Sequence, residues 1–153
     1  MLCLFEDASA TLEIEGRWLY PLFALHVARE RLDAPLFAGV SAVSLTDPVI
    51  GRGAVFLYAS LGVHRAQGRV VSERAFSAAA ELGITLEAET VVSSIDCMTE
   101  ELLQHVTDCE EALSALLERL SPTFTTMPRD FVSASVVSPS VASRAVMDFV
   151  AGR

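Results

Sequence analysis

Residues 36–61 read LFAGVSAVSLTDPVIGRGAVFLYASL, and the fold turns on how this run is divided. Leu36 to Leu45 is apolar or small at both alternating parities, which is the pattern of a strand covered on both faces. Thr46-Asp47-Pro48 then places a cap residue directly before a proline, a strong helix-start signal. The following segment, Val49 to Leu61, is almost wholly apolar, broken chiefly by Arg52 and the glycines Gly51 and Gly53, and is expected to be a buried helix lying close to a neighbouring strand.

On the N-terminal side, Thr11 to Glu15 alternates apolar and polar residues, and Gly16-Arg17 turns into Trp18-Leu19-Tyr20, a short hairpin. Pro21 opens a helix carrying Leu22, Leu25, His26, Arg29 and Leu32, stopped at Asp33-Ala34-Pro35. On the C-terminal side, Val63 to Val71 reads as a strand interrupted at Gln67-Gly68. Ser72-Glu73 opens a helix closed by Gly83, and Ile84 to Glu89 alternates as an outer strand does. Ser93 to Asp96 is loop. Met98 to Val106 and Asp108 to Leu120 are expected helices, the second begun by a capping box from Thr107 to Glu110. This order of strands and helices predicts an α/β protein: a three-layer α/β/α sandwich with a mixed, mostly parallel sheet. Residues 1–120 form that domain. Residues 121–153 are a C-terminal extension packed on it, with a strand at Phe131 to Val137 and a last helix at Pro139 to Val150.

Composition bounds the function. The chain has 153 residues with 52% hydrophobic content and a formal charge of −9, the wrong sign for tracking nucleic-acid phosphates. Every basic residue is arginine, which excludes a Schiff-base or phosphate-loop lysine, and there is no asparagine to glycosylate. No apolar run reaches the roughly 20 residues of a membrane span, and the N-terminus lacks the basic start of a secretory signal. Cys3, Cys97 and Cys109 are an odd, widely spaced set that suits a reducing cytoplasm rather than a disulfide framework. The high apolar fraction favours self-association, so a homodimer is an expected partner state.

Ligands in open α/β sheets gather beyond the carboxyl ends of strands, where helix starts offer free N–H groups. Three such starts are Asp47, Ser72-Glu73 and Cys97. A thiol at a helix start is activated as a nucleophile, although Asp96, Glu100 and Glu101 oppose the thiolate. The plainer readings are that Asp47 caps a helix, that Glu73 pairs with a helix dipole and that Cys97 packs as a small apolar group. His26, His64 and His105 are scattered and not at metal-ligand spacing, so no metal site and no cofactor are expected. There is no Walker loop, dinucleotide fingerprint or nucleophile elbow.

Asp47-Pro48-Val49-Ile50-Gly51-Arg52-Gly53-Ala54, Val71-Ser72-Glu73 and Cys97-Met98-Thr99-Glu100 follow one another in this order. Together with Tyr20-Pro21-Leu22 and Gly83-Ile84, they resemble the motifs of a small prokaryotic family, domain of unknown function 1893, over about Thr11 to Leu120. That resemblance implies a cytidine-deaminase-like fold. Zinc deaminases open one central helix with His-x-Glu and the next with Pro-Cys-x-x-Cys, the His and Cys residues holding zinc and the Glu moving the proton. Here Asp47 stands at the first position and Val49, which cannot move a proton, two further on. Cys97 is kept, and Glu100 replaces the second cysteine. Pro48 and Met98 stand where the family usually has lysine and proline. The resemblance therefore implies a deaminase-like shell without the deaminase motifs: a module binding a small polar or anionic ligand through Asp47, Ser72, Glu73, Cys97 and Glu100, or a regulatory module. The alternatives are an enzyme with Cys97 as nucleophile and Asp47 or Glu73 handling protons, and a purely structural homo-oligomeric protein.

Overall fold

In the computed structural model the described residues are 2–6, 11–16, 19–32, 43–124 and 132–137. Strands β1 (Leu2–Glu6) and β2 (Thr11–Gly16) precede helix α1 (Tyr20–Leu32). Then come β3 (Val43–Ile50), α2 (Arg52–Ser60), β4 (Val63–Ser72), α3 (Glu73–Leu82), β5 (Thr85–Val92), α4 (Met98–Leu102), α5 (Cys109–Phe124) and β6 (Val132–Val137). They build a six-stranded sheet in the order β5-β4-β3-β1-β2-β6. β3, β4 and β5 run parallel, while β1 is antiparallel to both β2 and β3, and β6 is antiparallel to β2. The protein is thus α/β with an open mixed sheet and, among the described residues, five helices, in accord with a three-layer α/β/α sandwich.

Several readings need correction, among them the helix expected over Met98 to Val106, which ends at Leu102. The hairpin that uses β2 is made with β1, in the register Leu2↔Glu15 to Glu6↔Thr11, and Tyr20 already belongs to α1. β3 runs on to Ile50, so Asp47 and Pro48 are strand residues and α2 begins only at Arg52. The Asp-Pro pair misleads because a proline is also tolerated in a strand where its missing N–H breaks no ladder bond. Here β3 stops pairing with β1 at Leu4↔Thr46, two residues before Pro48. Lastly, the described part of β3 is not covered on both faces, since Ser44 and Thr46 are exposed while Leu45 and Asp47 are buried. Residues 33–42 and the expected helix at Pro139 to Val150 lie outside the described residues.

The core forms around α2, which lies against α1, α3, α4, α5 and β4. Phe56, Leu57 and Tyr58 from α2, Leu22, Phe23 and Leu25 from α1, and Ile50 from β3 are fully buried. α5 adds Ala112, Leu116 and Leu120, spaced one helical turn apart on a single face. The polar signals that set its start are as expected, shifted by one residue: Asp108 Oδ2 accepts from Glu111 N–H at 2.9 Å. Gly83 ends α3 at φ 72°, a left-handed conformation that side chains with a Cβ rarely adopt.

Gly68 does not interrupt β4. It pairs with Asp47, and a Cβ there would meet Val71 Cγ2 at 2.8 Å and Ile50 Cδ1 at 2.9 Å. Both neighbours are fixed in the core, so Gly68→Ala is expected to cost about 1–3 kcal/mol by overpacking. A thermal melt checks this; an unchanged midpoint would contradict it.

Candidate functional site

β3 and β4 end level with each other, Ile50 pairing with Val71, so α2 and α3 start side by side at one edge of the sheet. Gly51 precedes α2 in extended conformation and supplies no side-chain cap. The first N–H groups of a helix lack partners within it and need an acceptor from elsewhere. Glu100 supplies one from α4: its Oε1 accepts the Arg52 N–H at 2.9 Å. Ser72 caps α3 by accepting from Ala75 N–H at 3.0 Å, and donates its own hydroxyl proton to the same Oε1 at 2.8 Å. The other oxygen, Oε2, accepts from Ile95 N–H. Glu100 is only 1% exposed, so these three donors, with the positive end of α2, offset the cost of burying a charge.

Arg52 closes the arrangement from the other direction. Its guanidinium is buried over the Phe56 ring, 5.4 Å from the centroid. Nε donates to Leu103 O at 2.7 Å, Nη1 to Arg74 O at 3.1 Å and Nη2 to Val106 O at 2.5 Å. Arg74 Nη1 in turn donates to the Glu100 carbonyl at 3.4 Å. Glu100 thus reaches inward to the helix start while Arg52, whose N–H it holds, reaches outward to the segment that carries Glu100.

The other residues singled out in the sequence are dispersed. Asp47, expected at a helix start, is buried in β3. Its Oδ2 accepts from the hydroxyl of Tyr58, near the far end of α2, and its Oδ1 lies 3.4 Å from Val49 N. Asp47 and the Glu100 cluster therefore hold opposite ends of the same helix. Cys97 is exposed at the N-cap of α4, its Sγ 3.4 Å from Thr99 Oγ1. Glu73, the first residue of α3, is exposed. The structure brings together Ser72 and Glu100 and adds Arg52, which the sequence reading noted only as a break in an apolar helix. A lone arginine in so apolar a helix has to be buried, and a buried guanidinium needs several acceptors; that was the available signal. His26, read as an isolated histidine, bonds through Nδ1 to Ser60 Oγ at 2.9 Å.

The geometry separates the thiols as well. Burial, then the negative charges of Asp108 and Glu110, raise the pKa of Cys109. Its thiolate is correspondingly scarcer near neutral pH than that of an ordinary cysteine. Peptide mapping after brief iodoacetamide treatment at pH 8 is expected to find Cys97 modified ahead of Cys109. The reverse order would contradict the assigned environments.

No family model matches the sequence, and no curated protein does. Among solved structures, a DUF1893 family protein from Thermotoga maritima matches with a TM-score of 0.62 at 16% identity, covering 77% of this chain and 80% of that one. The chain has the fold of that DUF1893 protein. The motif resemblance to domain of unknown function 1893 and the structural likeness to a DUF1893 protein thus point to the same fold. At this identity the likeness speaks for the backbone arrangement, and the roles of single side chains rest on the contacts above. Among the described residues, no three His, Cys, Asp or Glu side chains come together as a metal-holding group, and no helix is long and apolar enough to cross a membrane.

Proposed function

We propose that this chain is a non-hydrolytic relative of the zinc deaminases, working as a binding or regulatory module within a deaminase-like shell. The observation that carries the reading is the Glu100 carboxylate. The motif resemblance puts Asp47, Cys97 and Glu100 where a zinc deaminase has its metal ligands, and their donor chemistry does not fit that metal. Glu100 already accepts from two backbone N–H groups and from Ser72, which is fixed by capping α3. Asp47 is engaged by Tyr58. Neither supplies the imidazole that zinc favours, and Val49 has no proton to exchange.

The same contacts narrow the ligand reading. An anion at the start of α2 would compete with Glu100 for the Arg52 N–H, so a small polar compound at the exposed rim, by Glu73 and Cys97, is favoured over an anionic one. The nucleophile alternative with Asp47 handling protons loses support, because Asp47 lies at the opposite end of α2 from Thr99, which Cys97 touches. Self-association rests on the apolar composition.

Metal content decides between module and hydrolase. Protein purified from zinc-supplemented cells is expected to carry far less than stoichiometric zinc, and added zinc should leave its thermal midpoint unchanged. Stoichiometric zinc released by Glu100→Gln or Cys97→Ser would overturn the proposal.

A further inference from the structure

We propose that residues 95–106 form a strap that opens as one unit from the starts of α2 and α3, with Glu100 as its latch. Apolar burial holds this segment at few points, chiefly Leu103, which belongs to the core, and Val106, which packs against it. Of its side chains Thr99, Glu100 and Leu103 are buried, while Met98 and Leu102, the large apolar groups of α4, are 57% and 43% exposed. The rest of its attachment is polar and centres on two side chains, with Arg74 Nη1 also donating to the Glu100 carbonyl and Arg119 Nη2 to Met98 Sδ. Glu100 takes the N–H of Arg52 and the hydroxyl of Ser72, and Arg52 takes the carbonyls of Leu103 and Val106.

Thr99 adds one tight contact, its Cβ and Oγ1 each standing 3.2 Å from where a Cβ on Gly53 would be. The two attachments are mutually dependent, since Glu100 fixes the backbone of Arg52 while the Arg52 side chain fixes the backbone just beyond the end of α4. Releasing one weakens the other, so the segment lets go together rather than fraying residue by residue. The α2 helix beneath is buried from Arg52 to Tyr58 and stays folded when the strap lifts. Segments with few apolar contacts open at a lower free energy than the core, which gives the strap its own exchange behaviour. The inference does not rest on the proposed function, because the strap opens in this way whether or not the chain binds a ligand.

Hydrogen exchange on the full chain at neutral pH tests it. Peptides covering 95–106 are expected to exchange at a common rate, at least about tenfold faster than those covering 52–60 and 63–72. In Glu100→Gln the strap should exchange about tenfold faster again and remain ahead of 52–60 and 63–72. Ser72→Ala, which removes one of the latch donors, should give a smaller acceleration of the strap. Strap exchange in step with α2 and β4 in the wild-type protein would overturn the proposal, even where the Glu100 variant fails to fold. So would a folded Glu100→Gln variant whose strap exchanges no faster than the wild-type strap.

Discussion

Glu100→Ala is expected to destabilise the protein by about 3 kcal/mol, which for a chain of this size is a fall of about 6–12 °C in the thermal midpoint. The substitution removes the acceptor for the Arg52 N–H, the Ser72 hydroxyl and the Ile95 N–H in a place water enters poorly. A buried donor left without a partner costs about 1–3 kcal/mol, and partial hydration and relaxation keep the total below the sum of three such losses. Glu100→Gln is expected to cost less because it keeps one carbonyl oxygen, although its amide nitrogen faces a donor it cannot accept from. Urea denaturation followed by circular dichroism measures both. A loss within about 0.5 kcal/mol, typical of surface substitutions, would mean that the carboxylate is not the acceptor described.

Arg52→Ala is expected to have an effect of similar size, about 3 kcal/mol. Three carbonyls, those of Leu103, Arg74 and Val106, lose their donor together, and Phe56 loses the cation over its ring. Arg52→Lys is expected to recover little. The ammonium keeps the charge, yet it cannot spread donors to three carbonyls as the planar guanidinium does. The pair of variants separates charge from geometry: full recovery in the lysine variant would show that charge alone matters at this position.

Much of the architecture was legible in the sequence for definable reasons. Ser72 is the residue type that caps helices, and its hydroxyl caps α3; Gly83 suits the left-handed exit from the same helix. The alternation of Ile84 to Glu89 marked β5, an edge strand of the sheet. Asp47-Pro48 was misread because the same dipeptide suits a helix start and the unpaired stretch of a strand, and only the extent of β1 distinguishes them. β1 gave no signal of its own, since Leu2 to Glu6 becomes a strand through pairing with β2 and β3. For the site, sequence picked out Ser72 and Glu100 as members of a rim. That Glu100 turns inward as the internal acceptor for α2 depends on a contact across 48 residues, which local patterning does not encode.

The most direct test of the account is a double-mutant cycle between Ser72→Ala and Glu100→Ala, read by urea denaturation. Loss of the α3 cap enters both the single and the double variant and cancels, leaving the energy between the hydroxyl and the carboxylate. A coupling of about 1 kcal/mol or more is predicted for two groups that share a buried hydrogen bond. Losses that simply add, within about 0.3 kcal/mol, would contradict the claim that the Glu100 carboxylate is committed to the helix starts.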